Sequence, residues 1–250
     1  SADLDELLAG AEEIGFPVFV KAVAGGGVVT GTTTVPADPK GVPLRTIFDN
    51  YVARSTPLSF SGDFAKVVLA AGVNEYDGSG LNADGVYYIN TSNNDLSLGR
   101  MRLLGTLVVD VGTGRLTIEN SCLMESYRDD FPVLIVKGKV DANLQGGSLS
   151  ESSNFNPPGA PYQGQTDTDK NDYYPSEIRG LIHVIGNVTF TSNGVYRGVC
   201  IVDGSVTVSG TPTFVHDPSL MMNPPLGYTD DPASTETIIE PQSWTCQPAP

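Results

Sequence analysis

Basic residues are scarce in this chain. Lys and Arg together number 14 against 29 Asp and Glu, for a formal charge of −15. No Lys/Arg cluster interrupts that excess. Because a polyanion is bound through a basic footprint, duplex nucleic acid and anionic membrane are excluded as expected partners. Histidine (2), tryptophan (1) and cysteine (3) are also few. Cys122, Cys200 and Cys246 are too few for a disulfide scaffold and lack the paired spacing of a zinc site, so they allow one disulfide or none. No apolar run approaches the roughly 18 residues of a membrane span. Residues 1–20 carry acids where a signal peptide has a basic start. The expectation is a soluble or already processed chain with no direct membrane span. Its acidic, Lys-poor, Ser/Thr/Asn/Gly-rich composition points to an extracellular or cell-envelope bacterial setting.

Glycine (28) and proline (18) are abundant among the 250 residues. Together they exceed the roughly 12% of average usage, which favours turn-rich β structure over a helical bundle. A hydrophobic content of 40% with 17% charged residues is enough for a core and excludes wholesale disorder. Residues 3–14 place Leu4, Leu7, Leu8, Ala11 and Ile14 at helical spacing, with Gly15 and Pro17 as the stop. A strand-like segment Phe16–Val23 and Gly25–Gly27 follow. Pro43 precedes a second amphipathic face of Leu44, Ile47, Phe48, Tyr51 and Val52. Asp63–Ala71 fits helix or strand equally. Residues 1–54 are read as a small N-terminal helical cover segment.

Beyond residue 85 the chain repeats itself. The stretch from Gly180 to Thr191 superposes without a gap on that from Gly198 to Ser209, an 18-residue offset. Looser copies begin at Val133 and Gly105, and Val86–Leu98 fits a further turn. Each unit reads as two short strands joined by a glycine corner, too small to bury anything alone, so the units must stack. The predicted fold is all-β dominated: a right-handed parallel β-helix, or solenoid, over residues 55–228. Its coils number about five, and residues 229–250 form a Pro-rich tail. The inward columns are predicted to be Leu107, Leu134, Ile182, Cys200; then Val109, Val136, Val184, Val202; then Leu116, Val140, Val188, Val206; then Ile118, Ala142, Phe190, Val208. Val108, Ile135, Leu181 and Ile201 make the first sheet apolar on its outer side too, so the N-terminal helices are expected to cover it. Thr117, Asp141, Thr189 and Thr207 are expected to face water. Residues 145–179, polar and Gly/Pro-rich, read as an excursion loop.

Two phrases carry resemblances. The run from Asp172 to Asn187, the coil Val199–Val208, and the close Val215–Leu220 with Asn223–Gly227 resemble the parallel β-helix domain of PilX-type, prepilin-associated surface proteins. That resemblance covers about residues 85–228. It implies a non-enzymatic structural or assembly module of a bacterial cell surface or pilus-like appendage, partnered by itself or by other envelope and pilus proteins. Bactofilin-like polymer-forming solenoids have a comparable coil length. Separately, residues 11–27, with Lys21 ahead of Gly25–Gly27, look like the glycine loop of biotin-carboxylase-type ATP-grasp enzymes. That match ends before the family's Gly-Arg-Gly continuation, and no nucleotide is expected to bind.

One loop carries candidate chemistry. Asp167, Asp169, Asn171 and Asp172 set oxygen ligands at close spacing, the pattern by which a loop wraps a hard cation such as calcium, with Glu177 a weaker candidate. Asp172 stands where an EF-hand loop has glycine, and Ile178 where it has glutamate, so any site is irregular. For catalysis, β-helix lyases and hydrolases hold clustered acids on an exposed sheet. Here Asp141 has no carboxylate in register, and His183 reads as a packed core histidine. No catalytic residue is assigned. The runner-up function is a β-helix enzyme acting on polysaccharide.

Overall fold

The computed structural model describes residues 46–60 and 62–228. The expected helix 3–14, strand Phe16–Val23, glycine loop, tail 229–250 and Cys246 lie outside the described residues. Among the described residues there are seventeen strands, and 15 of them form one continuous curled sheet of mixed, mainly parallel pairing.

The strands fall into three parallel ranks. Rank one joins β1 (Thr56–Leu58), β5 (Val86–Asn90), the first halves of β8 (Thr106–Asn120) and β10 (Leu134–Leu144), and the second halves of β13 (Glu177–Ile185) and β15 (Val195–Val202). Rank two takes β2 (Phe64–Ala65), β6 (Leu96–Gly99), the remainders of β8 and β10, β14 (Val188–Phe190) and β16 (Val206–Val208). Rank three is β3 (Val68–Ala70), β7 (Arg102–Leu104), β9 (Leu123–Glu125), the starts of β13 and β15, and β17 (Thr213–Val215). The pairing therefore groups the strands in three ranks where two were expected. The third was illegible because its strands are three residues long and put Arg102, Glu125, Arg179 and Arg197 outward, which erases any apolar alternation.

All four predicted columns are in register. Leu107, Leu134, Ile182 and Cys200 are successive partners, as are Val109, Val136, Val184 and Val202. In rank two, Leu116, Val140, Val188 and Val206 align, as do Ile118, Ala142, Phe190 and Val208. They line one core with Tyr87, Ile89, Leu98 and Leu103. Val208 departs from the burial expected of it: it is 55% exposed because its strand is the last of its rank. The 18-residue spacing holds from Ile182 to Cys200 but not between earlier tiers, whose corners release segments of unequal length.

Part of the outer side of rank one, at Val108 and Ile135 of the residues expected to be covered, lies under a helix. Helix α1 (Thr46–Arg54) places Ile47, Phe48 and Tyr51 on one face, and they meet Val86, Val108, Phe131 and Ile135. Tyr51 meets Phe131 edge-on at 5.5 Å between ring centroids. Each such buried apolar side chain removed from water contributes about 2 kcal/mol. Of the residues expected in water, Thr117, Asp141 and Thr189 are half-buried and Thr207 is exposed.

At the corners, backbone approaches backbone. Gly180 and Gly198 are partners where rank three bends into rank one, with φ of 125° and 131°. A Cβ on Gly198 would stand 2.2 Å from the carbonyl oxygen of Gly180. Gly164, with φ of 78°, has nothing within 4 Å of its Cβ position. Gly164→Ala is therefore expected to cost only the left-handed strain, about 1–2 kcal/mol. Gly198→Ala adds a backbone clash and should cost at least about 3 kcal/mol, a drop in Tm of roughly 6–12 °C against roughly 2–8 °C for the control. Differential scanning calorimetry of the two variants checks the difference.

Candidate metal centre

Between the rank-two strand β10 and the rank-three start of β13 the chain leaves the ranks, returning at Glu177. Within this excursion β11 (Ser148–Ser150) pairs antiparallel with β12 (Tyr173–Pro175). Leu149, Phe155, Ala160 and Tyr174 then lie on Val68, Ala70 and Leu123, so the loop roofs the outer side of rank three. Arg102 is 1% exposed beneath that roof. Its Nη1 donates to the carbonyls of Phe155 at 2.7 Å and Ala160 at 2.6 Å. Its guanidinium sits 5.4 Å from the Tyr162 ring centroid and 5.9 Å from that of Tyr174. Burial pushes the Arg102 pKa down, against the opposing charge of Glu125. Carbonyl dipoles and ring faces thus take the place of a direct carboxylate partner.

On this roof the acids converge. Glu151, Asp167 and Asp169 each bring a carboxylate oxygen within 4.8 Å of the others. Glu151 is 7% exposed, and its Oε1 accepts from the Phe155 backbone N–H at 2.6 Å and the Tyr174 hydroxyl at 2.7 Å. Asp167 Oδ2 accepts from Asn156 Nδ2 at 3.0 Å, while its Oδ1 is buried with no hydrogen-bond partner among the described residues. Asp172 adjoins them: its backbone N–H donates to Glu151 Oε2 at 3.4 Å. Burial and then the hydrogen bond to Asp167, together with the charges of Asp167, Glu151 and Asp169, hold the Asp172 carboxyl above its ordinary range. These groups repel when ionised, and a hard divalent cation is the chemistry that relieves them.

Two expected candidates fall elsewhere. Asn171 is exposed, and its backbone N–H closes a turn on Asp169 Oδ1 at 2.8 Å. Glu177 is no part of the cluster: it is 4% exposed in rank three, gripped by Arg179 and Arg197, and ion-paired carboxylate oxygens of that kind are unavailable to a metal. The residue missed was Glu151. It is the only acid between Asp141 and Asp167, a signal present in the sequence but outside the short spacing that defined the search.

Most of the other chemically suggestive groups are engaged. His183 is fully buried, with Nδ1 2.9 Å from the Tyr228 hydroxyl and Nε2 3.2 Å from Asp203 Oδ1. A groove of roughly 170 Å³ is lined by Glu125, Asp129, Arg179 and Asp217. Within it Glu125 pairs with Arg179 at 2.7 Å, and Asp217 accepts from the Ser219 N–H at 2.9 Å at the start of α2 (Ser219–Met222). Asp141, on the rank-two outer face, meets Arg115 at 2.5 Å. Cys122 and Cys200 are free thiols whose burial pushes their pKa up to about 11 and about 12, so neither is a thiolate at neutral pH. No family model, curated protein or solved structure matches the chain.

A calcium ion bound at Glu151, Asp167 and Asp169 in the folded state would stabilise by about 2.7 kcal/mol at a hundredfold excess over Kd. Melting with calcium and with chelator is expected to differ by roughly 5–10 °C. Asp169→Asn keeps an acceptor for the Asn171 N–H and should remove the difference. The raised Asp172 pKa sets the pH dependence. Its contribution to stability is fully present below the unfolded carboxyl pKa and is lost as pH rises through the folded value. The calcium increment should therefore grow from mildly acidic to neutral pH, as read by melting across a buffer series.

Proposed function

We propose that this chain is a right-handed parallel β-solenoid acting as a non-enzymatic structural or assembly module, of the PilX-like kind borne on a bacterial cell surface or pilus-like appendage. The observation that carries the reading is the outer face of rank two. Ser97, Thr117, Asp141, Thr189 and Thr207 succeed one another along it. This is the kind of exposed sheet on which a β-helix lyase or hydrolase displays convergent acids, and here both strand acids are engaged: Asp141 by Arg115, and Glu119 by the Ser97 hydroxyl, which donates to it at 2.9 Å. The face is a flat polar ladder suited to contact with another surface. A calcium ion bound on the roof of rank three would be in keeping with a setting where calcium is plentiful. Among the described residues, no helix is long and apolar enough to cross a membrane.

The groove at Glu125, Asp129 and Asp217 favours the alternative, a β-helix enzyme on polysaccharide, because carboxylates gather there. Its weakness is that Glu125 and Asp217 already serve Arg179 and α2. Two measurements decide between the readings. Antibody against the folded chain is expected to label intact cells, and the purified chain is expected to release no reducing ends from acidic or neutral glycans. Glycan cleavage that disappears in Asp129→Asn would replace the structural reading with the enzymatic one.

A further inference from the structure

The two ends of the stacked ranks are finished differently. At the first tier, Tyr76 stacks on Phe64 with centroids 3.6 Å apart, and β4 (Val73–Asn74) pairs antiparallel with β3. The segment that follows is tied along β1. The Asp77 carboxylate accepts from the Ser59 N–H at 2.7 Å and from Asn74 Nδ2 at 2.8 Å, and Thr56 Oγ1 donates to the Leu81 carbonyl at 3.4 Å. Burial acts to raise the Asp77 pKa, but the hydrogen bonds from Ser59, Ser79 and Asn74 hold it well below the usual carboxylate range. That end is sealed.

The last tier is not. β16 pairs with β14 and β17 with β15, and no other described strand pairs with either. The Val188 N–H donates to the Ser205 carbonyl, and the Ser209 N–H donates to the Phe190 carbonyl. In a parallel ladder this alternation spends the backbone groups of odd-numbered residues on β14, leaving those of Val206 and Val208 directed outward along the stack. Their side chains continue apolar columns that are buried in every lower tier, yet Val208 is 55% exposed and Val206 half-exposed. An edge of this kind is normally guarded by charge. Gly204 to Val215 contains no charged residue, in a chain of net charge −15.

We infer that the β16 edge is a self-association surface, and that its occupant is the β16 edge of a second copy of this chain, paired antiparallel about a two-fold axis through Thr207. Charge selects the occupant. Two molecules of −15 repel over most of their surfaces, and this uncharged tier lets them meet without facing carboxylates. Complementarity selects the register: Val206 stands opposite the Val208 of the second copy and exchanges both backbone hydrogen bonds with it, while the inward valine columns run on from one copy into the other. The two-fold contact consumes the β16 edge of both copies, so this contact closes at two. The inference rests on the assembly reading above and narrows it to one contact.

Sedimentation velocity on the full chain, over a concentration series at low and high salt, tests it. A monomer–dimer equilibrium that tightens with added salt is expected, because screening removes the repulsion between like-charged copies. Val208→Lys should weaken the dimer about tenfold or more by placing like charges across the axis. Val208→Pro deletes one outward N–H and spares the bonds to β14, so it should do the same with unchanged β-type circular dichroism, even if the lysine variant folds poorly. A dimer indifferent to both substitutions overturns this contact and leaves the assembly reading standing. Growth beyond two copies overturns closure. A full chain that is monomeric under all conditions overturns self-association altogether.

Discussion

Backbone-to-backbone approach at the corners is the constraint from which the rest of this molecule follows. Parallel strands are joined only if each tier returns the chain to within one strand spacing of the tier below, about 4.8 Å. At Gly198 and Gly180 that return brings a carbonyl to where a side chain would begin. Gly186 and Gly138 repeat the condition at the next corner, where a Cβ would lie 1.9 Å from a carbonyl oxygen. With those approaches in place, like residues fall on like residues and the core columns form. Registry is therefore upstream of hydrophobic packing here: the valine and leucine columns are deep because the corners are bare.

Charge is handled by the same stacking. Arg179 and Arg197 are direct partners in rank three, a like-charge opposition that costs energy by itself. Glu177, two residues before Arg179 on the same strand face, lies between the guanidiniums and bonds to both, and Glu125 takes the far side of Arg179. The two carboxylates balance the two guanidiniums. Where the stacking ends and the excursion begins, no such balance is imposed. Glu151, Asp167, Asp169 and Asp172 crowd together there, with the nearby Arg102 spent on carbonyls below them.

The sequence carried the inward columns of ranks one and two to the residue, because a two-residue alternation repeated against itself survives in letters. It carried the helix that covers part of rank one for the same reason, through the spacing of Ile47, Phe48 and Tyr51. It did not carry rank three, whose strands are anchored by ion pairs and by a roof contributed from a remote segment. Nor did it carry the acidic centre whole. Asp167 and Asp169 are neighbours in the chain, but Glu151 joins them only because β11 and β12 fold the excursion back on itself. Local spacing reports ligands on one stretch of loop and is blind to a ligand delivered by tertiary closure.

The roof over Arg102 has a consequence for how this fold can vary. Loop-closure entropy grows only with the logarithm of length, so replacing a corner of a few residues by an excursion of some thirty costs roughly 2 kcal/mol. The apolar contacts of Leu149, Phe155 and Tyr174 with rank three offset that cost several times over. Beyond them the segment from Gln163 to Thr166 is exposed and makes no part of the roof's apolar cluster. Lengthening or rewriting that tip leaves both the ladder and the Arg102 anchorage untouched. The fourth corner is thus a position where new surface can be grafted onto the scaffold, by natural insertion or by a protein engineer, without renegotiating its core.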